Sequence, residues 1–234
     1  MPNRGAKFDL VVFDCDGVLI DSELISARML IATLAAHGVN VDLSYVARHF
    51  LGRSYPVVLS QIGSEFGIDL PESFEADYRA RLLSAFEREL KIMPGVPDVL
   101  DRLAVRSCVA TSSSPPRVAR SLRIVGLDTR FGADVFTASQ VARGKPEPDL
   151  FLHVASEMQV APDRCLVIED SLNGVHAALA AGMHVCRFTG GSHLDDAASA
   201  EPADACAHET LAHFGAFFDL YPQLLKSEGA HARN

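Results

Sequence analysis

Two aspartates close to the N-terminus have the spacing that phosphoryl-transfer chemistry requires. Asp14 and Asp16 follow the apolar segment Phe8–Phe13, and Gly17 comes next. Residues two apart on an extended chain point to the same side, so both carboxylates are expected to face one site. One carboxylate could act as a covalent nucleophile, and the other could donate and accept protons. A simple acidic loop at the end of a strand is the alternative interpretation.

We predict structural roles for Cys15, between the two aspartates, and for Gly17, which follows them. Cys15 lies between them and is expected to be a buried thiol rather than a nucleophile. Gly17 lets the chain turn away without a side chain in the site, and we expect it to contact the substrate. Two close carboxylates repel each other and separate their pKa values, so one can stay ionised while the other carries a proton.

Three consecutive serines follow the second apolar segment, Ser107–Ala110. Ser112 to Ser114 offer hydroxyl and backbone N–H groups immediately before Pro115 and Pro116, which are typical of the first turn of a helix. Such a segment suits phosphate oxygens, so Ser112 and Ser113 are candidate phosphate ligands. A serine-rich helix cap with no further function is the alternative.

A lysine and two acids follow later segments of the same kind. Lys145 lies between Gly144 and Pro146, where it could neutralise charge in a cleft, although most lysines are solvated surface charges. Glu169 and Asp170 follow the apolar segment Cys165–Ile168. If they face Asp14 and Asp16, the oxygen ligands that Mg²⁺ prefers would surround one point.

The elements that must position these residues alternate between strands and helices. Four segments predict buried parallel strands, and a fifth is weaker: Phe8–Phe13, Ser107–Ala110, Cys165–Ile168, Val185–Phe188 and the weaker Val135–Thr137. Helical patterns lie between them: Val96–Leu103, Pro116–Val125, Leu150–Met158 and Gly174–Ala181. This alternation predicts an α/β fold with a doubly wound parallel sheet, in which ligands bind at the carboxyl ends of the strands.

One long interval contains only helical periodicity. Between about Ser22 and Leu90 no segment predicts a strand. We therefore predict a small helical domain at 21–92, inserted into a core made of 1–20 and 93–234. Extra helices packed flat on the sheet are the alternative.

Composition excludes several classes of partner. The 234 residues carry a net charge of −9, which disfavours nucleic acid and anionic membranes. No segment is long and apolar enough for a membrane span. Five cysteines without metal-type spacing indicate reduced thiols, so a cytoplasmic protein is expected. We also expect a monomer or a weak dimer.

Together these motifs resemble the haloacid dehalogenase (HAD) superfamily along nearly the whole chain. The helical insert looks like the cap of its β-phosphoglucomutase-like and phosphatase branch, and the segments 168–174 and 190–193 are most like phosphatases of the 6-phosphogluconate type. The resemblance implies that Asp14 is the nucleophile and Asp16 the general acid and base. It implies that Ser112 and Lys145 hold the phosphate. Mg²⁺ would be bound by Asp14, the Asp16 carbonyl and Asp170, with Glu169 acting through water.

Departures from related branches narrow the expected activity. Dehalogenases lack the second aspartate, which is present here as Asp16. Phosphonatases use a cap lysine as a Schiff base, whereas the corresponding loop here offers Arg53, which we expect to bind the substrate away from its phosphate. Mutases usually carry a histidine at the position of Ser26 in this chain. Their cap loop also usually has an arginine near the position of Tyr55. Both absences favour hydrolysis.

The expected function is Mg²⁺-dependent hydrolysis of a small phosphorylated metabolite, a sugar phosphate, through an aspartyl phosphate on Asp14. A sugar-phosphate mutase is the enzymatic alternative. The alternative that is not an enzyme is a receiver-like signalling domain, which also combines Asp, Mg²⁺, Ser or Thr, and Lys. Receivers are shorter and lack both the cap and the acid that corresponds to Asp16.

Overall fold

A six-stranded parallel sheet forms the frame of the protein in a computed structural model that describes residues 8–50, 55–194 and 206–227. The strands are β1 (Leu10–Phe13), β2 (Arg106–Thr111), β3 (Val135–Thr137), β4 (Cys165–Glu169), β5 (His184–Phe188) and β6 (Glu209–Leu211). Their order across the sheet is β3-β2-β1-β4-β5-β6, and all neighbours are parallel. The expected α/β fold with a doubly wound parallel sheet is confirmed. The edge strand β6 was not predicted, because it has three residues and only its last is buried.

Both faces of the sheet are buried, since successive strand residues point to opposite sides. In β1, Val11 and Phe13 join one apolar cluster, and Leu10 and Val12 join the other. All four are 0% exposed. Burying one such side chain contributes about 1.5–3 kcal/mol to stability, which explains why the strands read as continuous apolar segments.

Among the described residues between β1 and β2, four helices belong to the insert. They are α1 (Glu23–Ala35), α2 (Leu43–His49), α3 (Tyr55–Phe66) and α4 (Phe74–Glu89). Helix α1 packs against α2 and α4. The two connecting segments lie side by side, with an antiparallel bridge between Ile20 and Ile92 and a hydrogen bond from the Met93 N–H to the Leu19 carbonyl at 2.9 Å. The division into domains at 21–92 stays a prediction.

The remaining helices lie between strands of the sheet, except for the last, which follows β6. They are α5 (Val96–Arg102), α6 (Pro115–Ile124), α7 (Asp128–Phe131), α8 (Asp149–Met158), α9 (Leu172–Ala180) and α10 (Phe217–Leu220). Helix α9 begins where the Ser171 side chain accepts a hydrogen bond from the Gly174 N–H, a typical N-cap. Helix α6 begins with two prolines and packs against α4 of the insert. The sheet and the insert therefore meet beside the serines that precede α6.

Among the described residues, the helices are too short or too polar to cross a bilayer.

Candidate active site

The register of three neighbouring strands brings the predicted site residues together. Phe13 at the end of β1 pairs with Val109 on β2 and with Ile168 on β4. The next residue, Asp14, donates its N–H to the Ile168 carbonyl at 2.9 Å. Strand β1 is also where the strand order reverses, and open parallel sheets bind ligands at such a point.

Lys145 lies at the centre of this group. Its Nζ is 2.6 Å from Oδ1 of Asp14 and 3.2 Å from Oε2 of Glu169, and it donates to the Ala110 carbonyl at 3.0 Å. The lysine side chain is only 3% exposed, so it is not a solvated surface charge. Burial alone would lower the pKa of Lys145, but the charges of Asp14 and Glu169 raise it, so the ammonium stays charged.

Three acidic side chains form a cluster beside this lysine. They are Asp14, Glu169 and Asp170, and each offers one carboxylate oxygen that lies within 4.8 Å of the other two. Burial raises the pKa of Asp14 well above its usual range, and the negative charge of Glu169 adds to the effect. Oxygen ligands with excess negative charge suit a divalent cation, so the residues fit a divalent metal site.

The carboxylate of Asp16 is held by partners outside this cluster. Its Oδ1 accepts hydrogen bonds from Ser22 at 2.6 Å and from Arg117 at 2.8 Å, and its Oδ2 accepts one from Ser113 at 2.6 Å. Burial favours the neutral form, but the charge of Arg117 and the hydroxyl groups outweigh it and lower the pKa of Asp16. The expectation that Asp16 binds a metal therefore concerns its main-chain carbonyl, not its carboxylate.

The serine segment has three different environments. Ser112 lines the cavity described below. Ser113 donates its hydroxyl to Asp16 and its N–H to Oγ1 of Thr111 at 3.0 Å. Ser114 accepts a hydrogen bond from Arg79 of α4 at 3.3 Å. Ser112 and Ser113 both stay candidate phosphate ligands, and the Ser113 hydroxyl contacts Asp16 in this structure.

Gly17 and Cys15 have structural reasons for their identity. Gly17 has φ +80°, and a Cβ there would lie 2.1 Å from Oδ2 of Asp170, so a side chain would displace that carboxylate. Cys15 is 1% exposed, and burial raises the pKa of its thiol well above the usual range. A protonated, buried thiol is a poor nucleophile, in agreement with the structural role predicted for Cys15.

A cavity of about 660 Å³ opens from these groups toward the insert. Its far wall is apolar and is formed by Leu30, Val46, Phe50, Val58 and Leu82. The polar residues that line the cavity from the insert and from α6 are Glu23, Ser26, Tyr78, Arg79 and Arg117. Burial raises the pKa of Glu23 to about 7, and the charge of Asp16 adds to the effect. The cavity thus has a charged end at the sheet and a mixed end at the insert.

Sequence reasoning gave no role to three residues of this site: Arg117, Glu23 and His193. Glu23 and His193 belong to the resemblance motifs, and Arg117 follows the two prolines that open α6. His193 contacts Oδ2 of Asp170 through Nε2 at 3.0 Å. The predicted substrate contact Arg53 lies outside the described residues, so its side chain is not part of the site described here.

With this geometry established, comparison with known proteins assigns the family. The sequence model of the haloacid dehalogenase-like hydrolases matches residues 8–182. The chain belongs to this family, and the enzyme class expected from its motifs, a HAD-type hydrolase, is confirmed.

Several relatives are phosphatases. The 6-phosphogluconate phosphatase of Escherichia coli is 28% identical over 190 residues, which cover 80% of this chain and 86% of that protein. Hexitol phosphatase A of E. coli is 33% identical over 74% of this chain and 80% of its own length. The solved structure of a HAD family hydrolase from Deinococcus radiodurans, with bound phosphate and sodium, is 32% identical with a TM-score of 0.75, covering 94% of this chain and 99% of that one.

Proposed function

We propose that this protein is a Mg²⁺-dependent phosphomonoester hydrolase in which Asp14 attacks the phosphorus of a small sugar phosphate. The observation that carries the proposal is the contact of 2.6 Å between Nζ of Lys145 and Oδ1 of Asp14, beside Asp170 and at the base of the cavity. A carboxylate at a strand end, next to a fixed cation and an acidic cluster, suits covalent phosphoryl transfer.

Lys145 and Ser112 prepare the first step. Burial and Glu169 raise the pKa of Asp14, whereas the ammonium of Lys145 opposes this rise. Together with a bound divalent cation, Lys145 would keep the carboxylate anionic for attack on phosphorus. Lys145 and Ser112 also bind the oxygens of the transferred phosphoryl group. Mg²⁺ held by Asp14, Asp170 and the Asp16 carbonyl, with Glu169 through water, would neutralise the charge of the carboxylates and of the phosphate.

Asp16 moves the protons. Since Arg117 and two hydroxyl groups lower the pKa of Asp16 in this structure, Asp16 must first take up a proton from solvent. As the phosphorus–oxygen bond breaks, the protonated Asp16 gives that proton to the leaving oxygen of the sugar. It then takes a proton from the water that attacks the aspartyl phosphate, and Asp14 and inorganic phosphate are released. Because Ser22, Ser113 and Arg117 occupy both carboxylate oxygens in this structure, Asp16 must exchange at least one of these partners when substrate binds.

The substrate class follows from the size of the cavity and from the relatives. A cavity of about 660 Å³ accommodates a small metabolite. Two of these relatives are a 6-phosphogluconate phosphatase and a hexitol phosphatase. Arg53 remains our candidate for a contact with the part of the substrate away from the phosphate. Ser26, where mutases usually carry histidine, accepts a hydrogen bond from Arg117 at 3.2 Å and supports hydrolysis over mutation.

A phosphate-release screen over sugar phosphates, with the purified protein and Mg²⁺, tests this proposal. We expect many turnovers on at least one sugar phosphate and none with Asp14→Asn. A single stable acyl phosphate without turnover would instead indicate a receiver-like switch, and interconversion of sugar-phosphate isomers would indicate a mutase. Arg53→Ala should lower kcat/KM for the preferred sugar phosphate about tenfold, equivalent to about 1.4 kcal/mol, and leave p-nitrophenyl phosphate unchanged. A cytoplasmic location and a monomeric or weakly dimeric state stay predictions.

A further inference from the structure

We propose that His193 is a positioning residue that fixes the carboxylate of Asp170 for metal binding, an inference that rests on the metal site proposed above. Nε2 of His193 lies 3.0 Å from Oδ2 of Asp170. Both side chains are 6% exposed, so water competes little for this hydrogen bond. Partners of this kind orient a metal ligand without touching the ion.

Two glycines from separate loops make room for this pair. A Cβ at Gly17 would lie 2.1 Å from Oδ2 of Asp170 and 2.9 Å from Cε1 of His193. A Cβ at Gly191 would lie 2.6 Å from the same Cε1. Distances this short leave no space for a methyl group, so the backbone on both sides of the imidazole is shaped around it.

The loop that carries His193 is tied to the loop that follows β1. The hydroxyl of Ser192 donates to Oδ1 of Asp21 at 2.6 Å, and the Ser192 N–H points to the same oxygen at 3.4 Å. The Leu194 N–H donates to the Gly191 carbonyl at 3.1 Å and closes a turn around His193. The position of the imidazole is therefore fixed relative to the strand end that carries Asp14.

The protonation pattern of the ring agrees with this role. Nδ1 of His193 is buried and has no hydrogen-bond partner among the described residues. A proton on Nδ1 would leave a buried N–H unpaired, so in the neutral ring we assign the proton to Nε2, which donates to Asp170. With one oxygen of Asp170 held by the ring, the other would be left to bind the ion, and the carboxylate would lose less freedom when the ion binds.

Mg²⁺ titration of the full chain by calorimetry, without substrate, tests the inference. We expect His193→Ala to weaken Mg²⁺ binding about 10- to 100-fold, since loss of such outer contacts has this effect on metal sites. His193→Gln, whose amide can donate in place of Nε2, should retain most of the affinity. His213→Ala, which changes an exposed histidine, should bind Mg²⁺ like the wild type.

The outcomes separate this inference from the proposed function. Wild-type affinity in a folded His193→Ala variant would overturn the positioning role. So would equal losses in the folded Ala and Gln variants, because the donated hydrogen bond would then not be the cause. If neither the wild-type protein nor Asp170→Asn bound Mg²⁺, the proposed metal site itself would be wrong. The increase in melting temperature on adding Mg²⁺ provides a second measurement on each variant.

Discussion

Arg117 and Asp16 form an ion pair that links the sheet to the insert. Nη2 of Arg117 lies 2.8 Å from Oδ1 of Asp16 and 3.2 Å from Oγ of Ser26 on α1. The guanidinium also lies over the ring of Phe86 on α4, 5.5 Å from its centroid. One side chain thus holds both the proposed proton donor and the helices that close the cavity.

Replacing this arginine should affect substrates according to their leaving group. In Arg117→Met, Asp16 loses a partner that orients it, so we expect kcat/KM for sugar phosphates to fall about tenfold or more. The kcat/KM for p-nitrophenyl phosphate should change little, because its leaving group departs without a proton. The control is Arg120→Met on the same helix as Arg117, which removes an exposed ion pair with Glu87 of α4. It should leave kcat/KM for both substrates unchanged. Equal losses on both substrates would contradict the positioning of Asp16 by Arg117.

The two aspartates should fail at different steps. Asp14→Asn cannot form an acyl phosphate, so turnover should fall by several orders of magnitude with the fold intact. Asp16→Asn should still allow slow phosphorylation of Asp14 but hydrolyse the intermediate poorly. Mass spectrometry after acid quench should therefore detect phosphoenzyme in Asp16→Asn and none in Asp14→Asn. The same mass in both variants would argue against the assigned roles.

Removal of divalent cations should abolish activity. The cluster of Asp14, Glu169 and Asp170 repels phosphate until a cation neutralises it. We expect EDTA to stop phosphate release and added Mg²⁺ to restore it. Ca²⁺ should inhibit, since its larger and more variable coordination does not support in-line transfer. Full activity in excess EDTA would refute the metal site.

Glu23 should make the stability of the protein depend on pH. Its pKa rises from 4.5 to about 7 on folding, so the folded state retains a proton that the unfolded chain has lost between these values. The contribution of Glu23 to stability therefore decreases by about 3 kcal/mol as pH rises from about 4.5 to about 7, and it then levels off. In Glu23→Gln this loss is absent, so the variant should gain stability relative to the wild type between pH 5 and pH 8.

Urea unfolding of the wild type and of Glu23→Gln, in EDTA at pH 5 and pH 8, measures how the difference between their free energies of unfolding changes with pH. Glu72→Gln, which changes an exposed acid of the insert, should show the same difference from wild type at both pH values. A pH-independent difference for Glu23→Gln would exclude Glu23 as the source.

Gly174 gives a direct test of packing around the acidic cluster. A Cβ at this position would lie 1.8 Å from Oε1 of Glu169, which Ser171 and Lys145 hold in place. Gly174→Ala should therefore destabilise the fold by about 1–3 kcal/mol and lower activity. Gly63→Ala is the matched control, since its Cβ would contact only the Ile68 carbonyl at 3.5 Å, and the glycine lies inside helix α3. We expect that control to be neutral or stabilising, by about 0.5–1 kcal/mol. Equal changes in the free energy of unfolding for Gly174→Ala and Gly63→Ala would contradict the close contact at Gly174.

The sequence predicted the strand ends better than the contacts between them. Strand β1 is short and apolar and is followed directly by Asp14, so its place in a buried parallel sheet could be inferred from local pattern alone. The pairing of Arg117 with Asp16 could not, because it joins residues 101 positions apart through a side-chain conformation that no periodicity encodes. His193 was part of a noted motif, but its contact with Asp170 depends on how two loops fold around Gly17 and Gly191.

The adjacent connections at Ile20 and Ile92 bear on how such a protein can diversify. Since the insert leaves the sheet and returns to it at neighbouring backbone positions, its length can change without moving any strand end. The entropic cost of a longer insert also grows only slowly with length. Substitutions and insertions there can alter which metabolite is accepted while Asp14 and Lys145 keep their geometry. Natural selection can therefore act on substrate choice and on the bond-breaking chemistry as largely independent traits.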